Sequence, residues 1–282
     1  MAIGLFDSGV GGLTIHRAVV GCLPTADVVY LADQAHMPYG TRSSEEIVQL
    51  TRAGCERLFL EGCDLVILAC NTASAVALHR LQESWLPGFR QTLARAVNVL
   101  GIIVPTIEAV TGRAWNAAHS TPVAAGPREA VGILATQATV RSAVYPIEIA
   151  KRRNDLRVIM EACPGLAAMI ERRVAPEALS RAIDRHLNAL RERIGRSPDK
   201  VILGSTHYEV VAELFRRALP ASAELIQQPR ATAEALQAYV ARHGEYRVGT
   251  RSLRRYLTTA RHPESHPLVE AYCGESLRFE PI

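Results

Sequence analysis

The sequence lacks an apolar run close to the ~20 residues with which a helix spans a bilayer. It also lacks a basic segment ahead of its first apolar stretch, so its start does not read as a secretory signal. These absences argue against membrane and secreted proteins. With 48% hydrophobic and 21% charged residues, the composition is that of a globular protein, which we expect to be cytoplasmic.

Lysine is nearly absent, because Lys151 and Lys200 are the only two, and the net charge is only +4. The densest basic runs, 151–153 and 251–255, are short and do not form the ordered basic face that nucleic-acid binding requires. Solvated surface charge is therefore the better interpretation, and we expect no nucleic-acid partner.

The six cysteines form no Cys-x-x-Cys pair of the kind found in zinc and redox sites. Without an export signal a disulfide framework is not expected. We therefore predict no metal site and interpret most cysteines as small buried hydrophobic residues. The cysteines are Cys22, Cys55, Cys63, Cys70, Cys163 and Cys273.

The glycine-rich stretch 7–12, Asp-Ser-Gly-Val-Gly-Gly, is a strand-to-helix turn that could hold an anion on backbone N–H groups. It is not a full dinucleotide fingerprint, because Thr14 occupies the third glycine position, and no P-loop lysine follows. A nucleotide site is thus weakly supported, whereas a carboxylate site fits equally well.

Short apolar strands alternate with amphipathic helices, which predicts a parallel α/β architecture. The segment 66–72, Val-Ile-Leu-Ala-Cys-Asn-Thr, resembles 201–207, Val-Ile-Leu-Gly-Ser-Thr-His, and 3–8 resembles 131–136. This internal repeat predicts two related α/β units. Ligands of open α/β sheets bind outside the carboxyl ends of strands, so facing units would place Cys70 and Ser205 on opposite walls of one cleft.

Cys70 ends a predicted strand and precedes a helix, whose amino terminus should lower the pKa of the thiol and favour the thiolate. Asp7, at the end of a neighbouring strand, could orient or deprotonate it. His207 begins a helix beside Ser205 and could hold a proton near neutral pH. Glu171 reads, from its spacing alone, as a surface charge.

Several stretches together resemble the glutamate racemases and the wider aspartate/glutamate racemase superfamily. The matching stretches are 6–14, 32–43, 69–74, 136–139, 162–164 with Glu171, and 203–208. The resemblance covers most of the chain. It implies two pseudo-symmetric α/β domains with the active site in the cleft between them, here 1–96 with 209–282, and 97–208. It also implies racemisation without pyridoxal phosphate, other cofactor or metal, for cell-wall peptidoglycan.

The resemblance assigns roles residue by residue. Cys70 matches the first proton-transferring cysteine, with Asp7 beside it, and His207 and Glu171 match the polar support of the second position, Ser205. Positions that match the family's substrate-binding set are Asp7, Ser8, Pro38, Tyr39, Gly40, Asn71, Thr72, Thr136, Thr139 and Thr206. The expected partner is glutamate or a similar small dicarboxylate, and the family leaves room for a homodimer.

The chain departs from the family at the second position, where Leu-Gly-Ser-Thr-His-Tyr replaces Leu-Gly-Cys-Thr-His-Tyr. Serine nearly matches cysteine in shape, but its hydroxyl is a far weaker acid and needs a strong neighbouring base. We therefore expect substrate binding to survive and two-way racemisation to fall by at least about 10²–10⁴-fold. The segment 83–95 also looks longer than the usual family connection, and we interpret it as a loop or broken helix.

Two alternatives to an impaired glutamate racemase stay open. One is a one-thiol enzyme of the same superfamily, aspartate racemase-like or decarboxylase-like, acting on a small dicarboxylate. The other is a non-catalytic dicarboxylate-binding protein that has kept the site and lost turnover. Exchange of the substrate α-proton with solvent, followed from each enantiomer, separates these possibilities.

Overall fold

The computed structural model describes residues 2–114, 129–246, 248–261 and 268–282. The chain forms two compact units, one comprising 1–102 and 229–282 and the other comprising 103–228. Within the described ranges, no helix is both long and apolar enough to cross a membrane.

The first unit is built on a six-stranded parallel sheet with strand order β10-β9-β2-β1-β3-β4. Its strands are β1 (Ala2–Asp7), β2 (Val28–Ala32), β3 (Cys63–Leu68), β4 (Asn98–Gly101), β9 (Arg254–Thr258) and β10 (Glu280–Pro281). Its helices are α1 (Leu13–Cys22), α2 (Ser44–Leu60), α3 (Asn71–Val76), α4 (Leu78–Arg80), α5 (Leu86–Leu93), α13 (Gln228–Arg242, whose first residue belongs to the second unit) and α14 (Val269–Cys273). Two 3₁₀ turns, Gln34–His36 and Tyr39–Thr41, and a π-helical turn, Leu81–Trp85, complete it.

The second unit contains a four-stranded parallel sheet with strand order β6-β5-β7-β8. Its strands are β5 (Ala130–Ala135), β6 (Arg157–Ala162), β7 (Lys200–Gly204) and β8 (Glu224–Ile226). Its helices are α6 (Ile103–Thr111), α7 (Gln137–Ser142), α8 (Val144–Ala150), α9 (Leu166–Glu171), α10 (Pro176–Ile194), α11 (Thr206–Val210) and α12 (Ala212–Ala218).

The two sheets share the same order of their first four strands. In each, the first strand lies at the centre, the second and third strands flank it, and the fourth follows the third, as β2-β1-β3-β4 and β6-β5-β7-β8. The predicted α/β class with parallel sheets is thereby confirmed, and the sequence repeat corresponds to a repeat of topology. Strands β1 and β3 are fully or almost fully buried, which explains their continuous apolar character.

Helix boundaries follow local chemistry. Ser43 caps α2 by accepting from the Glu46 N–H, while the Glu46 side chain accepts from the Ser43 N–H, which forms a capping box. Helix α10 begins with Pro176 and ends at Ile194, and Gly195 follows with a φ of 82° in the left-handed region that glycine tolerates.

The unit boundaries differ from the predicted ones. Strand β4 pairs with β3, so Asn98–Gly101 form the edge of the first sheet and the first unit extends to 102. At the other end, β8 pairs with β7, which keeps residues up to 228 in the second unit. Strand β4 ends at Gly101, and α6 begins two residues later at Ile103.

The segment 83–95, interpreted from sequence as a loop or broken helix, is mostly helical. A π-helical turn at 81–85 leads directly into α5, with Pro87 in the first turn, where proline is tolerated. Phe59, Trp85 and Phe89 pack together, with 4.8 Å between the ring centroids of Trp85 and Phe89. This aromatic cluster holds the segment against α2.

Candidate functional site

The turn after β1 supplies two hydrogen-bond donors to one oxygen of the Asp7 carboxylate. Oδ1 accepts from the Gly9 N–H at 2.7 Å and from the Ser8 hydroxyl at 3.3 Å. Asp7 is only 1% exposed, so these bonds compensate for a charge removed from water. Tyr30 of β2 donates its hydroxyl to the Gly9 carbonyl at 3.0 Å and fixes the same turn.

Gly12 is required by the close approach of this carboxylate. A Cβ at position 12 would lie 2.6 Å from Asp7 Oδ2 and 2.8 Å from Asp7 Cβ. Any side chain there would displace Asp7. The glycine-rich stretch thus makes room for an acidic side chain packed against α1, which its partial match to a nucleotide-binding pattern did not reveal.

Cys70 lies between β3 and α3, as predicted, and its sulfur contacts the Asp7 turn. The distance from Cys70 Sγ to Ser8 Oγ is 3.4 Å, and the Ala73 N–H donates to Sγ at 3.5 Å. Parallel strands β1 and β3 are neighbours, and this pairing brings residues 62 positions apart into contact. The structure therefore joins Asp7, Ser8 and Cys70 in one cluster.

The thiol of Cys70 is less acidic than the sequence suggested. Burial, followed by the negative charge of Asp7, raises its pKa to about 11, although hydrogen bonds from Ser8 and from the Ala73 N–H lower it. The predicted lowering of the pKa by the helix terminus is wrong in its net direction. Desolvation of a thiolate at a buried position outweighs the effect of one short helix.

The turn 38–40, whose residues were expected to bind substrate, is held by a carboxylate that the sequence pattern did not single out. Asp33 accepts from the Tyr39 hydroxyl at 2.6 Å, from the Thr259 hydroxyl at 2.7 Å, and lies 2.7 Å from His36 Nδ1. Tyr39 is buried and its phenol proton is used in this bond. Thr259 follows β9, 226 residues away in sequence, so spacing gave no signal for it.

The remaining predicted residues of the first unit lie close by in the chain. Pro38 is exposed and follows a cis peptide bond, and Gly40 is partly exposed beside it. Asn71 and Thr72 form the first turn of α3 directly after Cys70, and both are buried.

In the second unit, the ends of β5 and β7 carry the matching polar residues. Thr136 caps α7 by accepting from the Thr139 N–H at 3.3 Å, and the two hydroxyls lie 3.0 Å apart. Ser205 lies between β7 and α11, is 5% exposed, and its side chain makes no capping hydrogen bond. Thr206, the first residue of α11, is buried.

His207 and Glu171 form an ion pair or hydrogen bond between α11 and α9. The distance from His207 Nε2 to Glu171 Oε1 is 2.7 Å, and both side chains are partly exposed. The surface-charge interpretation of Glu171 is therefore incomplete, since its carboxylate has a defined partner. Tyr208 donates to the Cys163 carbonyl at 3.5 Å, which adds a second connection from α11.

Cys163 itself is buried, and burial raises its pKa to about 12, as does the nearby Glu161. Among the residues that the structure describes, no group of three or more histidine, cysteine, aspartate or glutamate side chains could hold a metal ion. Predicted site residues in contact with one another include Asp7, Ser8 and Cys70 in the first unit. In the second unit they include Thr136 with Thr139 and Glu171 with His207.

Comparison with known proteins gives consistent matches. The family model described as Asp/Glu/Hydantoin racemase matches residues 13–236. Glutamate racemase of Phenylobacterium zucineum is 57% identical over 282 residues, covering 100% of both chains, and that of Caulobacter sp. (strain K31) is 56% identical over 281 residues, covering 99% of both. The crystal structure of glutamate racemase from Francisella tularensis in complex with D-glutamate has a TM-score of 0.81 at 25% identity, covering 100% of this chain and 97% of that one.

Proposed function

Because the chain belongs to the Asp/Glu/hydantoin racemase family, we propose that it acts on glutamate, interconverting the L and D forms by moving the α-proton without a cofactor. The observation that carries this proposal is the 57% identity to a glutamate racemase over the full length of both chains. Supply of D-glutamate for peptidoglycan is the corresponding physiological role in this proposal.

In this proposal Cys70 exchanges the α-proton on one face of the substrate. The thiolate takes the proton from the α-carbon, the sulfur–hydrogen bond forms, and the electron pair stays on the carbanion until a proton arrives on the other face. Ser8, which is hydrogen-bonded to both Cys70 and Asp7, and the charge of Asp7 adjust the acidity of Cys70. The substrate's carboxylates and amine are bound by the turn 38–40, Asn71, Thr72, Thr136, Thr139 and Thr206.

The second proton position is assigned to Ser205, with His207 and Glu171 as its polar support. A serine hydroxyl has a proton affinity poorly matched to neutral pH, so it is a weak general acid and a poor base without assistance. We therefore propose that proton exchange on the Cys70 side is faster than complete inversion. The lack of a capping hydrogen bond at Ser205, against three donors at Cys70, supports this asymmetry.

Ser205→Cys tests the proposal. Circular dichroism of glutamate should report racemisation that rises by about 10²–10⁴-fold over the unaltered chain, because a thiol replaces the poorly matched hydroxyl. Ser142→Cys, a partly buried serine at the end of α7, is the matched control and should give no gain. Unchanged racemisation by Ser205→Cys, with the fold intact, would contradict the assignment of the second position.

Following deuterium from D₂O into each glutamate enantiomer separates the alternatives. Wash-in from one enantiomer, faster than inversion, fits an enzyme that works through Cys70 alone. Wash-in from neither, combined with calorimetric binding of glutamate, would identify a non-catalytic binding protein and refute the proposed activity.

A further inference from the structure

Ser8 has a hydroxyl placed between two groups that compete for one proton. Its Oγ lies 3.4 Å from Cys70 Sγ and 3.3 Å from Asp7 Oδ1. A hydroxyl can accept on one side while it donates on the other. The geometry forms a continuous path from sulfur to carboxylate through one rotatable O–H group.

The acceptor end of this path is held in place. The Gly9 N–H binds the same oxygen, Asp7 Oδ1, at 2.7 Å, which keeps that oxygen turned toward the Ser8 side chain. The Ser8 N–H is a further donor to the Cys70 sulfur. Ser8 therefore contacts the sulfur through both its backbone and its side chain.

Two phenols also interact electrostatically with this sulfur, but each uses its proton elsewhere. Tyr30 donates to the Gly9 carbonyl, and Tyr39 donates to Asp33. Both are buried, and burial, with the charges of nearby acidic groups, raises their pKa values above the usual range. Neither phenol is therefore a source of protons for Cys70.

A thiolate beside an ionised Asp7 would place two negative charges on neighbouring buried residues. This repulsion, after burial, is why the pKa of Cys70 is raised to about 11. If the thiol proton moves to Asp7 rather than to solvent, this pair of residues keeps a single negative charge. Such a transfer needs a carrier between the sulfur and the carboxylate.

We propose that Ser8 is this carrier and relays the proton of Cys70 to Asp7. This inference deepens the proposed function and rests on it. The Cys70 S–H bond breaks as a new O–H bond forms on Ser8, and the original Ser8 O–H bond breaks as an O–H bond forms on Asp7. The net charge stays at minus one. The Ser8 hydroxyl then points to the sulfur and stabilises the thiolate.

Ser8→Ala tests the relay, because it removes the hydroxyl and keeps the backbone donor. The readout is the rate at which iodoacetamide labels Cys70 across a pH series, followed by mass spectrometry of the peptide that contains it. Losing a hydrogen bond to the charged form should raise the apparent pKa by about one unit. Labelling near neutral pH should then slow about threefold, since the thiolate population falls tenfold while the remaining thiolate becomes more nucleophilic.

Thr14→Val is the matched control, since it deletes a hydroxyl of the same turn that bonds the Gly11 carbonyl. It should leave the labelling profile unchanged, and Ser8→Thr, which keeps a hydroxyl, should restore the profile. Should Ser8→Ala not fold, Ser8→Cys takes its place with the same expected direction, because S–H is a weak donor.

A folded Ser8→Ala variant with the labelling profile of the unaltered chain would overturn the relay. Deuterium wash-in to glutamate by the unaltered chain is measured in parallel. Wash-in without a labelling shift in Ser8→Ala refutes the relay and leaves the proposed function standing. If the labelling profile shifts in Ser8→Ala but neither glutamate enantiomer takes up deuterium, the proposed racemisation is refuted instead.

Discussion

The two units share a strand order but surround their strand-end nucleophile positions differently. In the first unit the sulfur of Cys70 contacts Ser8 and the Ala73 N–H, beside the buried Asp7. In the second unit the Ser205 side chain does not cap its helix, and the nearby pair of His207 and Glu171 is partly exposed. A repeated backbone therefore fixes where a polar group is placed, while the neighbouring side chains decide its chemistry.

The largest expected effect is the difference in activity lost when Cys70 and Ser205 are each replaced by alanine. Cys70→Ala should reduce deuterium wash-in to glutamate by about 10²–10⁴-fold, because it deletes a positioned proton acceptor. Ser205→Ala should cost less than about tenfold, because its hydroxyl is a poor acid or base near neutral pH. Equal losses from the two variants would contradict the asymmetry. Cys55→Ala, a buried cysteine on α2, controls for loss of a packing thiol.

A second difference concerns acid stability. His16 on α1 is buried against Tyr30 and Tyr256, and burial, with the charge of Arg254, lowers its pKa to about 4. The unfolded chain takes up a proton below about pH 6.5 and the folded chain does not. The free energy of unfolding should thus fall between about pH 6.5 and 4, by about 3 kcal/mol in total, with no such loss above pH 6.5.

Urea unfolding over a pH series measures this effect. His16→Phe should flatten the pH dependence in that window, whereas His79→Gln, at an exposed histidine, should leave it unchanged. Protection of backbone amides from hydrogen exchange should weaken in the first unit before it weakens in the second unit as the pH falls. A loss that begins in 103–228 would contradict the prediction.

The Asp33 cluster consists of Asp33, His36, Tyr39 and Thr259. It allows a test of how much these contacts stabilise the turn 38–40. Asp33→Asn turns an acceptor of bonds from Tyr39 and Thr259 into a group that also donates, so one buried donor loses its partner. We expect the free energy of unfolding to fall by about 1.5–3 kcal/mol. Asp184→Asn, at an exposed position on α10, should change it by less than about 0.5 kcal/mol. Urea titration compares the two, and equal effects would show that the cluster is not stabilising.

The smallest expected effect lies in the second unit. Glu171→Ala removes the partner of His207 and should lower the free energy of unfolding by about 1 kcal/mol, because the pair is only partly buried. Glu171→Gln keeps an acceptor and should lose less than half of that amount. Thermal unfolding measures both, with Glu192→Ala as the exposed control. A loss as large as that of Asp33→Asn would mean that this pair is not weaker than the Asp33 cluster.

Sequence patterns located elements better than they located boundaries or acidity. Cys70 lies between a strand and a helix as predicted, because the apolar run that forms β3 is a local signal. The compact units of the structure divide after 102 and after 228, against the expected 96 and 208, since strand pairing decides which sheet a strand joins. The net pKa shift of Cys70 was misjudged because it depends on burial and on Asp7.

By itself, the sequence determined the parallel α/β class, the internal repeat and the placement of Cys70 and Ser205 after strands, since these follow from apolar periodicity and residue order. Only the tertiary structure decided that Ser8 touches the sulfur and that Thr259 reaches Asp33. The physical reason is that contacts between distant residues, and the loss of water around them, arise only when strands pair and side chains pack.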